Sequence, residues 1–211
     1  MKIDVYADVV CPWCYVGEKR LDKALQSRPE LDVVLRWRPF QLRPEMPANG
    51  LPWQEFAVDK FGGEANMRRA FAHVTAAGEP DGAHFDFDRV ASAPNTVDAH
   101  RLILHARQYA NEWGMAEALF RGYFAEGRDL NDADDLATMA EQAGLDPEEA
   151  RSLLSGEDGA GEVRESQNAA AGLGVNSVPF YVIDDRYAVS GGQTAEAWLR
   201  TFDAVEAQRV P

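Results

Sequence analysis

The chain has 211 residues, 45% of them apolar, and carries a formal net charge of −14 with a pI near 4.7. Such a surface repels nucleic acid and anionic membrane, which excludes both as main partners. The length suits one large domain or two small ones, and there is no apolar run of about 18 residues to predict a transmembrane helix.

The first residues, MKIDVYADVV, lack the apolar stretch and small-residue cleavage site of a signal peptide. This predicts a chain that begins at Met1 and stays in the cytoplasm, where thiols are kept reduced. Ile3, Val5, Ala7 and Val9 alternate with Asp4, Tyr6 and Asp8, a period of two that predicts a strand. From Pro12 the period lengthens. Cys14, Glu18, Leu21 and Leu25 then share one helical face. LDVVLRWRPF (31–40) predicts a second strand, and its connection through a helix predicts a parallel βαβ unit. A Pro-rich loop follows at 38–52.

From about 52 to 172 the pattern is helical, in segments that end at glycine or a loop signal, among them NTVDAHRLILHARQYANEWG and DADDLATMAEQAG. DPEEARSLLSG opens with an Asp cap, a first-turn Pro and two glutamates. A helix at about 158–172 leads to a third strand, SVPFYVIDD. Its predicted hairpin partner is RYAVSGGQ. A last helix, from near Thr194, buries Trp198, Leu199, Phe202 and Val205. The order βαβ, helical block, αββα predicts an α/β fold in which a helical domain (46–164) is inserted between the halves, 1–45 and 165–211, of a discontinuous domain.

Cys11 and Cys14 are the only cysteines, in the stretch VVCPWCYVGE. A structural staple across two residues closes a very short loop and gains little. A zinc site with His100 and His105 fails on spacing, because 85 residues separate Cys14 from His100. Those histidines, with His73 and His84, are expected to be partly exposed on helices. Dithiol exchange remains. Cys11 sits where a strand ends and a helix begins, so unpaired N–H groups and the helix dipole favour its thiolate. Pro12 suits the first helical position. Cys14, one turn inward, is expected to be less exposed and to keep a higher pKa. Cys11 then attacks, and Cys14 resolves the mixed disulfide. CxxC beside a βαβ pattern reads as a thioredoxin-like redox motif.

CPWCYVG after a short strand, the long helical insertion and GVNSVPFYVID near the end together resemble the DsbA-like branch of the thioredoxin superfamily, most closely its FrnE-type subgroup. The resemblance covers nearly the whole chain. It implies a thioredoxin-like domain at 1–45 and 165–211. It also implies a cis Val178–Pro179 bond facing Cys11, at a strand entry where a substrate backbone can dock. The sequence departs from the periplasmic oxidases of the family at Trp13, where they carry histidine. Trp13 is read either as an apolar platform for substrate or as packing against the helical insert.

Glu18 is read either as a proton acceptor when Cys14 attacks or as a solvated carboxylate. Asp4, Tyr6 and Asp8 line the other face of the first strand. A carboxylate there is a possible buried proton acceptor, but opposes the Cys11 anion if close. DLNDADDLA reads as helix capping rather than a calcium loop. Trp53, Phe56, Phe61, Phe71 and Trp113 read as core rather than a ligand box.

The expected function is thiol–disulfide oxidoreduction on protein or small-molecule disulfides, with no bound metal or nucleotide required. Its partners are thiol- or disulfide-bearing proteins and a pool such as glutathione. Two alternatives stay open: a glutathione-dependent isomerase or transferase of the 2-hydroxychromene-2-carboxylate isomerase type, and a redox-regulated client-binding module.

Overall fold

A computed structural model describes residues 1–208. The last three residues of the expected 165–211 segment lie outside the described residues. In chain order, β1 (Lys2–Ala7) leads into α1 (Pro12–Gln26) and β2 (Val34–Pro39). The short strands β3 (Leu51–Pro52) and, further on, β4 (Ser92–Ala93) pair with each other. Between them run α2 (Trp53–Phe61) and α3 (Glu64–Gly78). Next come α4 (Val97–Ala106), α5 (Glu112–Arg121), α6 (Ala133–Gln142), α7 (Pro147–Leu154) and α8 (Ala160–Gly172). The chain closes with β5 (Phe180–Ile183), β6 (Tyr187–Ser190) and α9 (Ala195–Ala207).

The main sheet runs β2-β1-β5-β6. β1 pairs in parallel with β2, Val5 opposite Trp37, and antiparallel with β5, Val5 opposite Tyr181. The first and last parts of the chain therefore share one sheet. This is the thioredoxin-like α/β arrangement, and it places the end of β1 and the start of β5 side by side. One continuous buried cluster joins Ile3 and Val5 of the sheet, Tyr15 of α1, Leu119 and Phe120 of α5, and Trp198 of α9.

β1 is more deeply buried than its alternation predicts. Its second face is covered too, by a small cluster of Tyr6 with Phe40, Ala170 and Val175. Asp4 is only 4% exposed there, and it is neutralised by Arg38 Nε at 2.7 Å and Lys2 Nζ at 2.9 Å.

Local signals account for most helix starts. Asp132 accepts from the N–H groups of Asp134 and Asp135, Asp146 from Glu148, and Thr194 from Ala197. The segment expected as one helix from Asn95 to Gly114 is instead two. α4 ends in a tight turn at Arg107–Tyr109, Ala110 takes a left-handed conformation (φ 54°), and α5 restarts at Glu112. Gly114 lies inside α5 rather than stopping a helix. A Cβ there would meet the Asn111 side chain at 2.3 Å.

Candidate functional site

Cys11 caps the N-terminus of α1 with an extended backbone (φ −92°, ψ 110°), and Pro12 occupies the first helical position. The Cys11 carbonyl accepts from the N–H groups of Cys14 (2.9 Å) and Tyr15 (3.3 Å), which starts the helix at this point. Cys14 thus lies one turn in, on the buried face of α1 with Leu21 and Ala24.

Strand β5 supplies the opposite wall. The Val178–Pro179 peptide bond is cis. The Cys11 thiol lies 3.6 Å from the Val178 carbonyl oxygen and donates to it when protonated. Gly17 permits this close approach. A Cβ at that position would fall 2.6 Å from the Tyr181 hydroxyl, 3.0 Å from Pro179 Cγ and 3.3 Å from Gly192 Cα. Arg20 fixes the same side of α1. Its guanidinium donates to Asp81 (2.8 Å), to the Ala77 carbonyl (2.9 Å) and to the Gly192 carbonyl (2.7 Å).

Both thiols are buried, Cys11 at 6% exposure and Cys14 at 2%, so their expected order holds by a narrow margin. Their ionisation differs more. The Cys11 pKa is lowered, first because the Cys14 thiol donates to its sulfur, and further by the N–H groups of Cys14 and Trp13 at the helix start. The Cys14 thiol is pushed well above its ordinary value by burial, and again by donating to Cys11. The direction matches the sequence reading. The largest cause is the neighbouring thiol rather than the helix terminus alone.

Trp13 is partly exposed and packs against His73 of α3, ring centroids 5.5 Å apart at 57°. Glu18 corrects the solvated reading. It is 3% exposed, its Oε2 accepts no hydrogen bond, and the nearest cation, Lys19 Nζ, lies 3.7 Å away and is bonded to Glu117. Burial on the inner face of α1 raises its pKa to about 8.

Asp8 is 1% exposed. Its Oδ2 accepts the Leu42 N–H at 2.7 Å, and its charge opposes ionisation of Cys11 and Cys14. Beside it His100 is fully buried, which corrects the expectation of a partly exposed helix residue. The Trp37 indole N–H donates to His100 Nδ1 (3.1 Å), so the ring proton sits on Nε2. That atom faces the Phe40 carbonyl (3.2 Å) and Asp8 Oδ1 (3.4 Å). Partners from β2 and the following loop make this burial possible. His105 stays partly exposed, and His73 and His84 are exposed.

The core reading of the aromatic residues holds for Trp113 and, on one side, for Trp53, both packed against the core, and needs correction for the others. Trp53, Phe56, Phe61 and Phe71 are half-buried and line a pocket together with Phe87 and Tyr123. Pro12, Val10 and Asp8 form the edge nearest the cysteines, and Arg43 and Lys60 also line it. Spacing on a helix does not say whether a facing element closes over it. One signal was readable: Phe56 and Lys60 are four residues apart on α2, the spacing at which a cation meets a ring.

A dithiol at the first turn of a helix that follows the central strand, with a cis-proline strand entry against it, defines a thioredoxin-like thiol–disulfide site. The chain belongs to the DSBA-like thioredoxin domain family, whose model matches residues 2–202. It is similar to the crystal structure of a probable DsbA oxidoreductase from Streptomyces coelicolor, with 34% identity, a TM-score of 0.91, and coverage of 100% of this chain and 92% of that one. The cytosolic disulfide reductase DsbM from Pseudomonas aeruginosa, solved with glutathione, shares the fold at 20% identity, TM-score 0.68, covering 98% and 100% of the two chains. A 2-hydroxychromene-2-carboxylate isomerase shares it at 17% identity, TM-score 0.71, covering 99% and 95%. Among the described residues, no helix is long and apolar enough to cross a membrane.

Proposed function

We propose that the protein exchanges disulfides with protein or small-molecule thiols through Cys11 and Cys14, with Cys11 as nucleophile. The observation that carries this reading is the opposed ionisation of two adjacent sulfurs, Cys11 lowered and Cys14 raised, at a strand entry that leaves Pro179 without an N–H.

The Cys11 thiolate attacks one sulfur of a substrate disulfide, forms a mixed disulfide and expels the other substrate sulfur as thiolate. Cys14 then loses its proton to the departing thiolate and attacks Cys11 Sγ, breaking the mixed disulfide and expelling the second substrate sulfur as thiolate. Two electrons pass to the substrate, and the Cys11–Cys14 disulfide remains for a thiol such as glutathione to reduce. The substrate backbone lies along Val178–Pro179, with Trp13 as an apolar platform beside it. Residues 1–45 and 165–211 form the redox domain, and 46–164 the helical domain that walls the site.

Insulin reduction and trapping of mixed disulfides test the reading. Cys11→Ala abolishes exchange, and Cys14→Ala accumulates a covalent adduct through Cys11. Full insulin-reductase activity in the Cys11 variant would overturn it. Turnover of an aromatic substrate with glutathione that survives loss of Cys14 would instead favour an isomerase.

A further inference from the structure

The aromatic pocket beside Pro12 has two properties that a closed core lacks. Its rings stack on one another and are only half-buried. Phe71 and Phe87 stack with centroids 4.0 Å apart at 11°, and Trp53 lies nearly parallel to Phe71 at 5.7 Å and 10°. These rings remain half-exposed around the opening, where a core would bury them.

The second property is charge. In a chain of net charge −14, two cations line this apolar wall. Lys60 is exposed at the rim, and its ammonium lies 5.6 Å from the ring centroids of both Phe56 and Phe61. Among the described residues no carboxylate lies within ion-pair distance of it, and burial among the rings lowers its pKa. Arg43 stacks on Phe56 at 5.8 Å, and its ion pair is with exposed Glu45 at 3.4 Å. The Cys11 sulfur and Asp8, at the edge of the pocket, favour the Lys60 charge from a distance, but no carboxylate touches the ammonium, and a cation so placed against apolar surface is one where an arriving anion gains more than it would in open water. Aromatic faces with a cation at their edge are complementary to a flat ring that bears an acid group.

We infer that this pocket binds a small planar aromatic anion, its ring held among Trp53, Phe71 and Phe56 and its carboxylate, sulfonate or phenolate against Lys60. Binding needs no thiol exchange, although the Cys11 sulfur acts electrostatically on Lys60 and the edge of the pocket formed by Val10 and Pro12 sets the ligand next to the first turn of α1.

Fluorescence titration of the full chain with 8-anilinonaphthalene-1-sulfonate, and with neutral N-phenyl-1-naphthylamine, separates the two contributions. The wild-type chain is expected to take up one sulfonate probe per molecule. Lys60→Gln should weaken that probe by about tenfold and the neutral one by less than about twofold, while Lys60→Arg keeps both. Phe71→Ala, checked for native circular dichroism, should weaken both probes alike. The Cys11→Ser/Cys14→Ser chain, in which exchange is lost, should keep saturable sulfonate binding at least as tight as the wild type, because an anion that competes for Lys60 is removed, so that failure of the pocket and failure of the redox reading are told apart. Absence of saturable sulfonate binding, or equal loss of both probes in Lys60→Gln, would overturn the inference.

Discussion

Two aromatic clusters reach the cysteine-bearing helix, and they are built from the same residue types to opposite effect. Tyr181, Trp198 and Phe202 are sealed between the sheet and α9 at 1%, 0% and 0% exposure, with Tyr181 and Trp198 edge-to-face at 4.7 Å. Trp53, Phe71 and Phe87 stack as closely but stay half-open. The first cluster is scaffold, because a helix covers it and its Tyr181 hydroxyl rests against Gly17. The second rests on the core through Trp53 and Phe87 and lines the pocket on its other side. What covers a cluster, more than which rings compose it, decides whether it supports the fold or receives a ligand.

The contrast is open to direct attack. The largest effect is expected on the sealed side: Trp198→Ala should lower stability by about 3–5 kcal/mol in urea unfolding, whereas Phe61→Ala, at the pocket, should lose about 1 kcal/mol or less. Equal losses would erase the distinction. The sealed side should also respond to pH through Glu18, whose charge reaches Tyr181. A carboxyl raised to about 8 in the folded state keeps a proton that the unfolded chain releases near pH 4.5. Stability from this group is therefore present at low pH and is lost as pH rises toward about 8. Glu18→Gln should match the wild type below about pH 4.5 and exceed it by a few kcal/mol above about pH 8, as read by unfolding at both ends. Parallel curves across that range would rule the effect out. The smallest effect concerns the sulfurs. In Cys14→Ala, Cys11 loses its largest stabilising contact, and its alkylation by iodoacetamide should shift to higher pH. An unchanged profile would leave the helix terminus as the main cause.

The parts of this molecule legible in its sequence are those governed by short-range rules. The strand-to-helix switch at Cys11, the Asp132, Asp146 and Thr194 caps and the parallel βαβ unit all follow from periodicity and capping chemistry. The opposed ionisation of Cys11 and Cys14 follows from their positions on one helical turn. Burial of Glu18 and His100 was not legible. Glu18 depends on which elements pack over α1, and His100 on Trp37 and Phe40, about sixty positions earlier in the chain. The break at Ala110 was hidden as well, because the left-handed residue is an alanine rather than the glycine that usually marks such a stop.

Arg20 carries a mechanical consequence. One planar fork grips the loop at Gly192, beside the thiols, and the turn at Ala77–Asp81, at the far end of α3. One side chain thereby ties those two segments to α1 and to each other. A lysine in its place would offer a single point of charge and hold one anchor at a time, and the tie would come apart without any loss of charge.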